Sequence, residues 1–164
     1  MRGCCGRPTA VPAASYKFGN HQNIQTYNHG CRINNESGKT LQLDSSEPFL
    51  GSEEFDGTQD NVTETSSFKQ QAASEGSDRC ASGYVTYNIE DNLRWIIAWR
   101  NAMDEQNKVY TAIISRAKKG STEKLVRGST DKSSFDDNSI KYAAEAEIDP
   151  TSSRPTVKAK LTTK

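Results

Sequence analysis

Few residues of this sequence have the type and spacing that covalent chemistry requires. The chain has two histidines, His21 and His29, and of these only His29 lies near a cysteine, Cys31. Nucleophilic catalysis by a thiolate–imidazole pair also needs a third group that orients the base, and none is identifiable beside this pair. We therefore interpret both histidines as surface residues near the start of a strand, and we predict no catalytic residues and no enzymatic activity.

The acidic residues do not have the spacing of a metal site or of an acid–base pair. Asp136-Asp137 and Glu53-Glu54 are doublets in polar segments, and exposed loops do not separate the pKa values of two carboxyl groups. The segment 52–60 resembles a calcium loop only loosely. Neither a zinc pattern nor a glycine-rich phosphate loop is present. We predict no metal and no cofactor.

The four cysteines and the first residues bear on the cellular location. Cys4-Cys5 is a vicinal pair, which we interpret either as incidental or as a palmitoylation site. Cys31 and Cys80 are expected either to form one disulfide or to be buried thiols. Residues 7–20 contain no apolar signal core. The expectation is therefore a protein without a secretory signal peptide, either cytoplasmic or exported by another route.

Length and composition exclude several classes of protein. The 164 residues suit one domain of ordinary size. Twenty-one basic residues balance twenty-one acidic ones, which argues against a nucleic-acid partner because such proteins carry a basic excess. The hydrophobic share of 33% is low, so part of the chain is expected in loops or in a tail. No apolar run is long enough for a transmembrane helix.

The remaining pattern predicts an all-β fold. Residues 83–89, 93–100 and 107–115 read as three consecutive strands, and in the second of them both tryptophans fall on one face. A β-hairpin is predicted over 31–43, with its turn at 35–38. We predict a single β-sandwich of short antiparallel strands over residues 22–164, preceded by a flexible N-terminal arm over 1–21.

The other segments are assigned from weaker patterns. A short strand is predicted at 24–27 and another near 62–68, and the remainder of 44–82 is interpreted as long loops. Residues 122–126 are expected to form a short strand and 127–138 a loop. Residues 139–148 and 154–162 are interpreted as a closing hairpin.

Aromatic and polar residues meet where the strand 93–100 is expected to leave the core. There, ring faces, a planar guanidinium and side-chain hydrogen-bonding groups suit a lipid headgroup or a sugar. Alternatively, Trp99 fills the core, Asp104 and Asn107 shape the turn, and Arg100 is a solvated edge residue. The predicted ligand-binding residues are Trp99, Arg100, Met103, Asp104, Asn107 and Tyr110.

Three segments carry a resemblance to a known group of proteins. The region 83–116 resembles the central hairpin and following loop of the actinoporin-like cytolysins, and 33–41 resembles their early hairpin. The pair 139–148 and 154–162 is similar to the closing strands of the fungal fruit-body lectins. Met103 and Glu105 stand where those cytolysins carry tyrosines, and residues 1–30 show no amphipathic helical stretch.

The resemblance implies a β-sandwich that binds a membrane lipid headgroup, typically sphingomyelin, or a cell-surface glycan. It also implies a cytolysin or toxin that forms pores as a homo-oligomer on membranes, or a lectin. The alternative is a protein-interaction module or secreted effector of the same fold, without enzymatic activity.

Overall fold

Alternating apolar and polar residues form strands through most of the chain, because successive side chains of a strand point to opposite faces. The computed structural model describes residues 28–49, 52–72, 80–102, 104–118 and 122–164. Eleven strands and one short helix lie within those ranges. In chain order they are β1 (Asn28–Glu36), β2 (Leu41–Pro48), β3 (Ser52–Asp56), β4 (Asn61–Val62), β5 (Thr65–Ala72), β6 (Cys80–Glu90), β7 (Leu93–Ala102), β8 (Lys108–Ser115), α1 (Thr122–Arg127), β9 (Lys132–Asp136), β10 (Tyr142–Glu147) and β11 (Thr156–Thr163).

The strands form two sheets that pack face to face as a sandwich, which confirms the predicted fold class. The six-stranded sheet has the order β3-β5-β1-β11-β10-β9, and the five-stranded sheet has the order β4-β2-β6-β7-β8. Neighbouring strands are antiparallel with one exception: β1 pairs with β11 in parallel, with Ile33 beside Ala159. The prediction of antiparallel strands was wrong for this pair, which joins two distant segments of the chain.

The core lies between the two sheets and is centred on the face of β7 that the sequence predicted. Trp95, Ile97 and Trp99 are fully buried there. The opposite face of β7 is also covered, because Val126 of α1 packs against Ala98. Burying apolar side chains on this scale is the main favourable contribution to folding.

The predicted hairpin over 31–43 was wrong, although its turn is correctly placed. β1 pairs only with strands of the six-stranded sheet, whereas β2 pairs with β4 and β6 of the other sheet. The turn between them is held by Asn35, whose side-chain amide donates to the backbone oxygens of Lys39 and Val62. Gly38 takes a positive φ of 71° in this turn, which glycine adopts without strain. The connection therefore passes from one sheet to the other.

The other differences between the predicted and the observed elements lie in polar segments of the chain. Residues 122–127 form α1, supported by an ion pair between Glu123 and Arg127 one turn apart, and not a strand. Residues 132–136 form β9, and 44–60 contain β3 and the end of β2, where loops were expected. The strand predicted near 62–68 corresponds to β5, which begins at Thr65. These strands have polar outer faces, which weakens their signal. The hairpin predicted at the C-terminal end is confirmed as β10 and β11.

Both cysteines within the described ranges, Cys31 and Cys80, are buried and are not joined to each other by a disulfide, which confirms one of the two alternatives predicted for them. Cys4, Cys5, His21, the predicted strand at 24–27 and the predicted arm at 1–21 lie outside the described residues.

Gly83 is required where β2, β3 and β6 approach one another. A Cβ atom at this position would lie 2.6 Å from the backbone oxygen of Glu47 and 2.7 Å from Cζ of Phe55. We expect Gly83→Ala to lower the free energy of unfolding by about 1–3 kcal/mol, because the backbone must shift. Urea denaturation measures this difference.

Gly128→Ala is the matched control for that variant. The nearest atom to a Cβ at Gly128 is 3.8 Å away, which is an ordinary van der Waals contact. Equal midpoints of unfolding for the two variants would contradict the close approach at Gly83.

Candidate functional site

Trp99 belongs to the core and not to the surface. Its exposed fraction is 0%, and its indole N–H donates to Oε1 of Gln70 at 2.9 Å. The ring stacks on His29, with 4.8 Å between ring centroids and 5° between their planes. The prediction that Trp99 offers a ring face to a ligand was therefore wrong, and the alternative that it fills the core is confirmed.

His29 is the second correction, because it was expected at the surface. Its exposed fraction is 1%, and neither ring nitrogen has a hydrogen-bond partner. Burial lowers the pKa of His29 to about 3, so the ring is neutral at physiological pH. Burial also raises the pKa of the Cys31 thiol. These two residues are packing residues of the core.

Arg100 is held by a carboxylate from the following loop. Its Nε forms an ion pair with Oε1 of Glu105, and the other carboxylate oxygen of Glu105 pairs with Lys108 at 2.8 Å. Burial acts to raise the pKa of Glu105, but hydrogen bonds from Lys108 and Arg100 outweigh it and hold the pKa below its ordinary value. The expected pairing of Arg100 with a phosphate is therefore not favoured, since its charge is already compensated. Arg100 is not a solvated edge residue either.

Asn107 connects the loop that follows β7 to the loop that follows β10 through hydrogen bonds. Its side-chain amide donates to the backbone oxygens of Asp149 and Ser152, each at 2.7 Å, and its backbone N–H donates to Pro150. With 3% of its surface exposed, Asn107 shapes the turn, as the alternative interpretation proposed.

Tyr110 does not join this arrangement. Tyr110 is half-buried on the outer face of the five-stranded sheet, against the small cluster of Phe49, Ala98 and Val126. Burial raises the pKa of Tyr110. Met103 lies outside the described residues. Of the six predicted residues, the structure brings Asp104 and Asn107 into one groove, with Arg100 ion-paired to the intervening Glu105.

That groove, called the loop groove below, lies between residues 101–102 and 104–107 on one side and residues 150–153 on the other. Its volume is about 490 Å³. Asp104 and Gln106 are exposed in it, whereas Asn101 is buried, with 1% exposure, and its side-chain nitrogen Nδ2 has no hydrogen-bond partner. The lining residues are Asn101, Ala102, Asp104, Glu105, Gln106, Asn107, Pro150, Thr151, Ser152 and Ser153.

Sequence reasoning missed Asn101 and the hydroxyl residues 151–153. The alternation of Trp95, Ile97 and Trp99, continued by two residues, places the side chain of Asn101 on the core face. The sequence pattern therefore could have indicated that Asn101 is buried. The contribution of 151–153 depends on Asn107 bonding across more than forty residues of chain, which no local pattern reveals.

The loop groove can recognise neutral or cationic polar groups. Hydroxyl and amide side chains donate and accept hydrogen bonds, and Asp104 adds a carboxylate that makes no hydrogen bond or ion pair with another described residue. The two cations near the groove, Arg100 and Lys108, both form ion pairs with Glu105. In the described ranges no group of acidic, histidine and cysteine side chains has the arrangement of a metal site.

No helix within those ranges has the length and hydropathy needed to cross a bilayer.

No protein-family model and no curated protein matches this sequence. Among solved structures, the chain is similar to the crystal structure of the lipid-binding protein Nakanori, with a TM-score of 0.72 and 15% sequence identity. The match covers 83% of this chain and 71% of that one. At this level of identity the likeness shows a shared fold.

The buried imidazole of His29 makes stability sensitive to acid. In the unfolded chain a histidine takes up a proton near pH 6.5, but the folded pKa is about 3, so stability is greatest above pH 6.5 and falls as the pH drops toward 3. We expect the free energy of unfolding to be about 2 kcal/mol lower at pH 5 than at pH 7.5. Urea denaturation at both values measures the loss.

His29→Phe is the comparison variant for this measurement, because it keeps an aromatic ring against Trp99 and removes the titrating group. Most carboxylates remain ionised at pH 5, so the difference between the two proteins isolates His29. The same loss of stability in His29→Phe would contradict the assignment.

Removing the side chain of Asn107 should loosen the joined loops. We expect Asn107→Ala to lower the free energy of unfolding by about 1–3 kcal/mol, since two backbone oxygens lose their donor. Gln106→Ala, at an exposed neighbouring position, should change it by less than about 0.5 kcal/mol. Thermal unfolding of both variants tests this, and similar melting temperatures would contradict the structural role of Asn107.

Proposed function

We propose that this chain is a recognition protein without enzymatic activity, which binds the polar headgroup of a membrane lipid in the loop groove and acts at a membrane surface. The observation that carries the proposal is the side-chain nitrogen of Asn101, buried among the groove's lining residues without a partner. A buried N–H left unpaired costs about 1–3 kcal/mol. A ligand oxygen that reached this nitrogen from the groove would satisfy it.

The charges of the groove select among headgroups. Asp104 offers an exposed carboxylate, whereas Arg100 and Lys108 are both paired with Glu105. A headgroup that presents an acceptor oxygen to Asn101 and an amine, a quaternary ammonium or a hydroxyl group to Asp104 fits this distribution. A headgroup with excess negative charge fits it less well, because an unpaired carboxylate repels it.

Two likenesses support a lipid ligand. The fold is shared with a lipid-binding protein, and two segments of the sequence resemble the actinoporin-like cytolysins. We extend the proposal from that resemblance to assembly of several copies on the membrane, and pore formation is the further step that the same resemblance suggests.

A cell-surface glycan is the second candidate ligand, favoured by the lining of the groove. Gln106, Thr151, Ser152 and Ser153 present amide and hydroxyl groups, which suit the hydroxyl groups of a sugar. A protein-interaction module remains the alternative if neither lipid nor sugar binds.

Vesicle flotation and a glycan array test the proposal. The vesicles contain phosphatidylcholine alone or with phosphatidylethanolamine, sphingomyelin or a neutral glycosphingolipid. We expect the chain to float with at least one of these, and Asp104→Asn to weaken binding at least about tenfold, because a charge-assisted hydrogen bond is lost.

Asp91→Asn is the matched control, since Asp91 is likewise an exposed aspartate in a turn but lies between β6 and β7, away from the groove. Binding that Asp104→Asn and Asp91→Asn leave equally strong would place the site elsewhere. Binding to sugars without vesicles would favour the glycan, and no binding to either would favour the interaction module.

A further inference from the structure

The outer face of the six-stranded sheet carries a second recess, separate from the loop groove. Its volume is about 720 Å³, and it is lined by residues of β1, β5, β9, β10 and β11. We call it the outer groove. The outer face of the other sheet is partly covered by α1, whereas no described helix packs on this one.

One row of side chains crosses the outer groove from strand to strand. Arg32 of β1 lies beside Lys158 of β11, Lys158 lies beside Glu147 of β10, and Glu147 lies beside Lys132 of β9. All four side chains are exposed. The row therefore contains three cations and one carboxylate.

The carboxylate compensates only one of these cations. Glu147 pairs with Lys158 at 3.3 Å, while Arg32 and Lys132 form no ion pair with another described residue. Like charges on directly neighbouring strands destabilise a sheet. The adjacency of Arg32 and Lys158 thus costs stability unless an anion lies between them.

We propose that the outer groove binds an acidic sugar chain, with a carboxylate or sulfate group between Arg32 and Lys158 and a second acidic group at Lys132. The two ends of the row are three strand spacings apart, which is roughly 14 Å. A single small anion cannot reach both ends, whereas an extended oligosaccharide with acidic groups along its length can.

The neighbouring row favours a sugar over other polyanions. It contains Asn34, Lys160, Glu145 and Ser134, with Thr65 at its β5 end. Hydroxyl and amide groups there suit sugar hydroxyls, and Glu145 favours a chain whose acidic groups are spaced apart. A recess in the sheet admits a narrow chain, but a flat bilayer surface does not enter it.

Titration of the full chain with defined oligosaccharides tests this inference. The probes are a heparin oligosaccharide, a hyaluronan oligosaccharide and a neutral malto-oligosaccharide. We expect at least one acidic probe to bind, the neutral probe to bind at least about tenfold more weakly, and added salt to weaken the acidic complex. The double variant Arg32→Gln/Lys132→Gln should weaken acidic binding at least about tenfold.

The matched control is Lys118→Gln/Lys124→Gln, which removes two exposed cations outside the outer groove. It should leave binding unchanged. The melting temperature of Arg32→Gln should equal or exceed that of the parent chain, because a repulsive neighbour of Lys158 is removed. A residue with only a structural role would lower it.

Four outcomes would overturn the inference: no acidic probe binds, the neutral probe binds equally well, the control double variant weakens binding as much, or a polyglutamate peptide or phosphatidylserine vesicles bind in preference to the sugars. Asp104→Asn should leave acidic-sugar binding intact. The result is therefore independent of whether the loop groove binds a lipid.

Discussion

The hydrogen bond from the Trp99 indole to Gln70 joins the two sheets where the loops begin. Gln70 belongs to β5 and Trp99 to β7, and the side-chain amide of Gln70 also donates to the backbone oxygen of Ser82 in β6. All three residues are buried. Polar groups removed from water must be paired, so this chain of bonds fixes the relative positions of the sheets at that end.

The loop groove depends on that arrangement. Once Trp99 is fixed, the next inward position of β7 is Asn101, and the chain then turns toward Asn107, which fastens the second loop. The Arg100–Glu105–Lys108 ion pairs close the turn from the outside. The groove is thus built by strand ends with buried anchors, which gives its exposed groups a defined geometry.

The sequence allowed the sandwich and the inward face of β7 to be predicted because these follow from period-two alternation of large apolar residues. It did not allow the partners of β1 and β2 to be predicted, because pairing between distant segments leaves no local trace. β9 was missed since only Phe135 among its five residues is a large apolar residue. Arg100 was misassigned because its partner, Glu105, was interpreted only as a departure from a family pattern.

The balance of acidic and basic residues conceals two surfaces of different character. In the loop groove, Glu105 forms ion pairs with both Arg100 and Lys108, and the exposed carboxylate of Asp104 is the charge without a partner among the described residues. The outer groove is lined by four cations and two glutamates, and in its first row Glu147 pairs with only one of three cations, so the local charge is positive. Overall charge governs long-range steering, but recognition depends on the charges within a few ångströms of the ligand. A protein of zero net charge can therefore bind an amine-bearing headgroup at the loop groove and an acidic sugar chain at the outer groove. Its composition alone does not reveal these two surfaces.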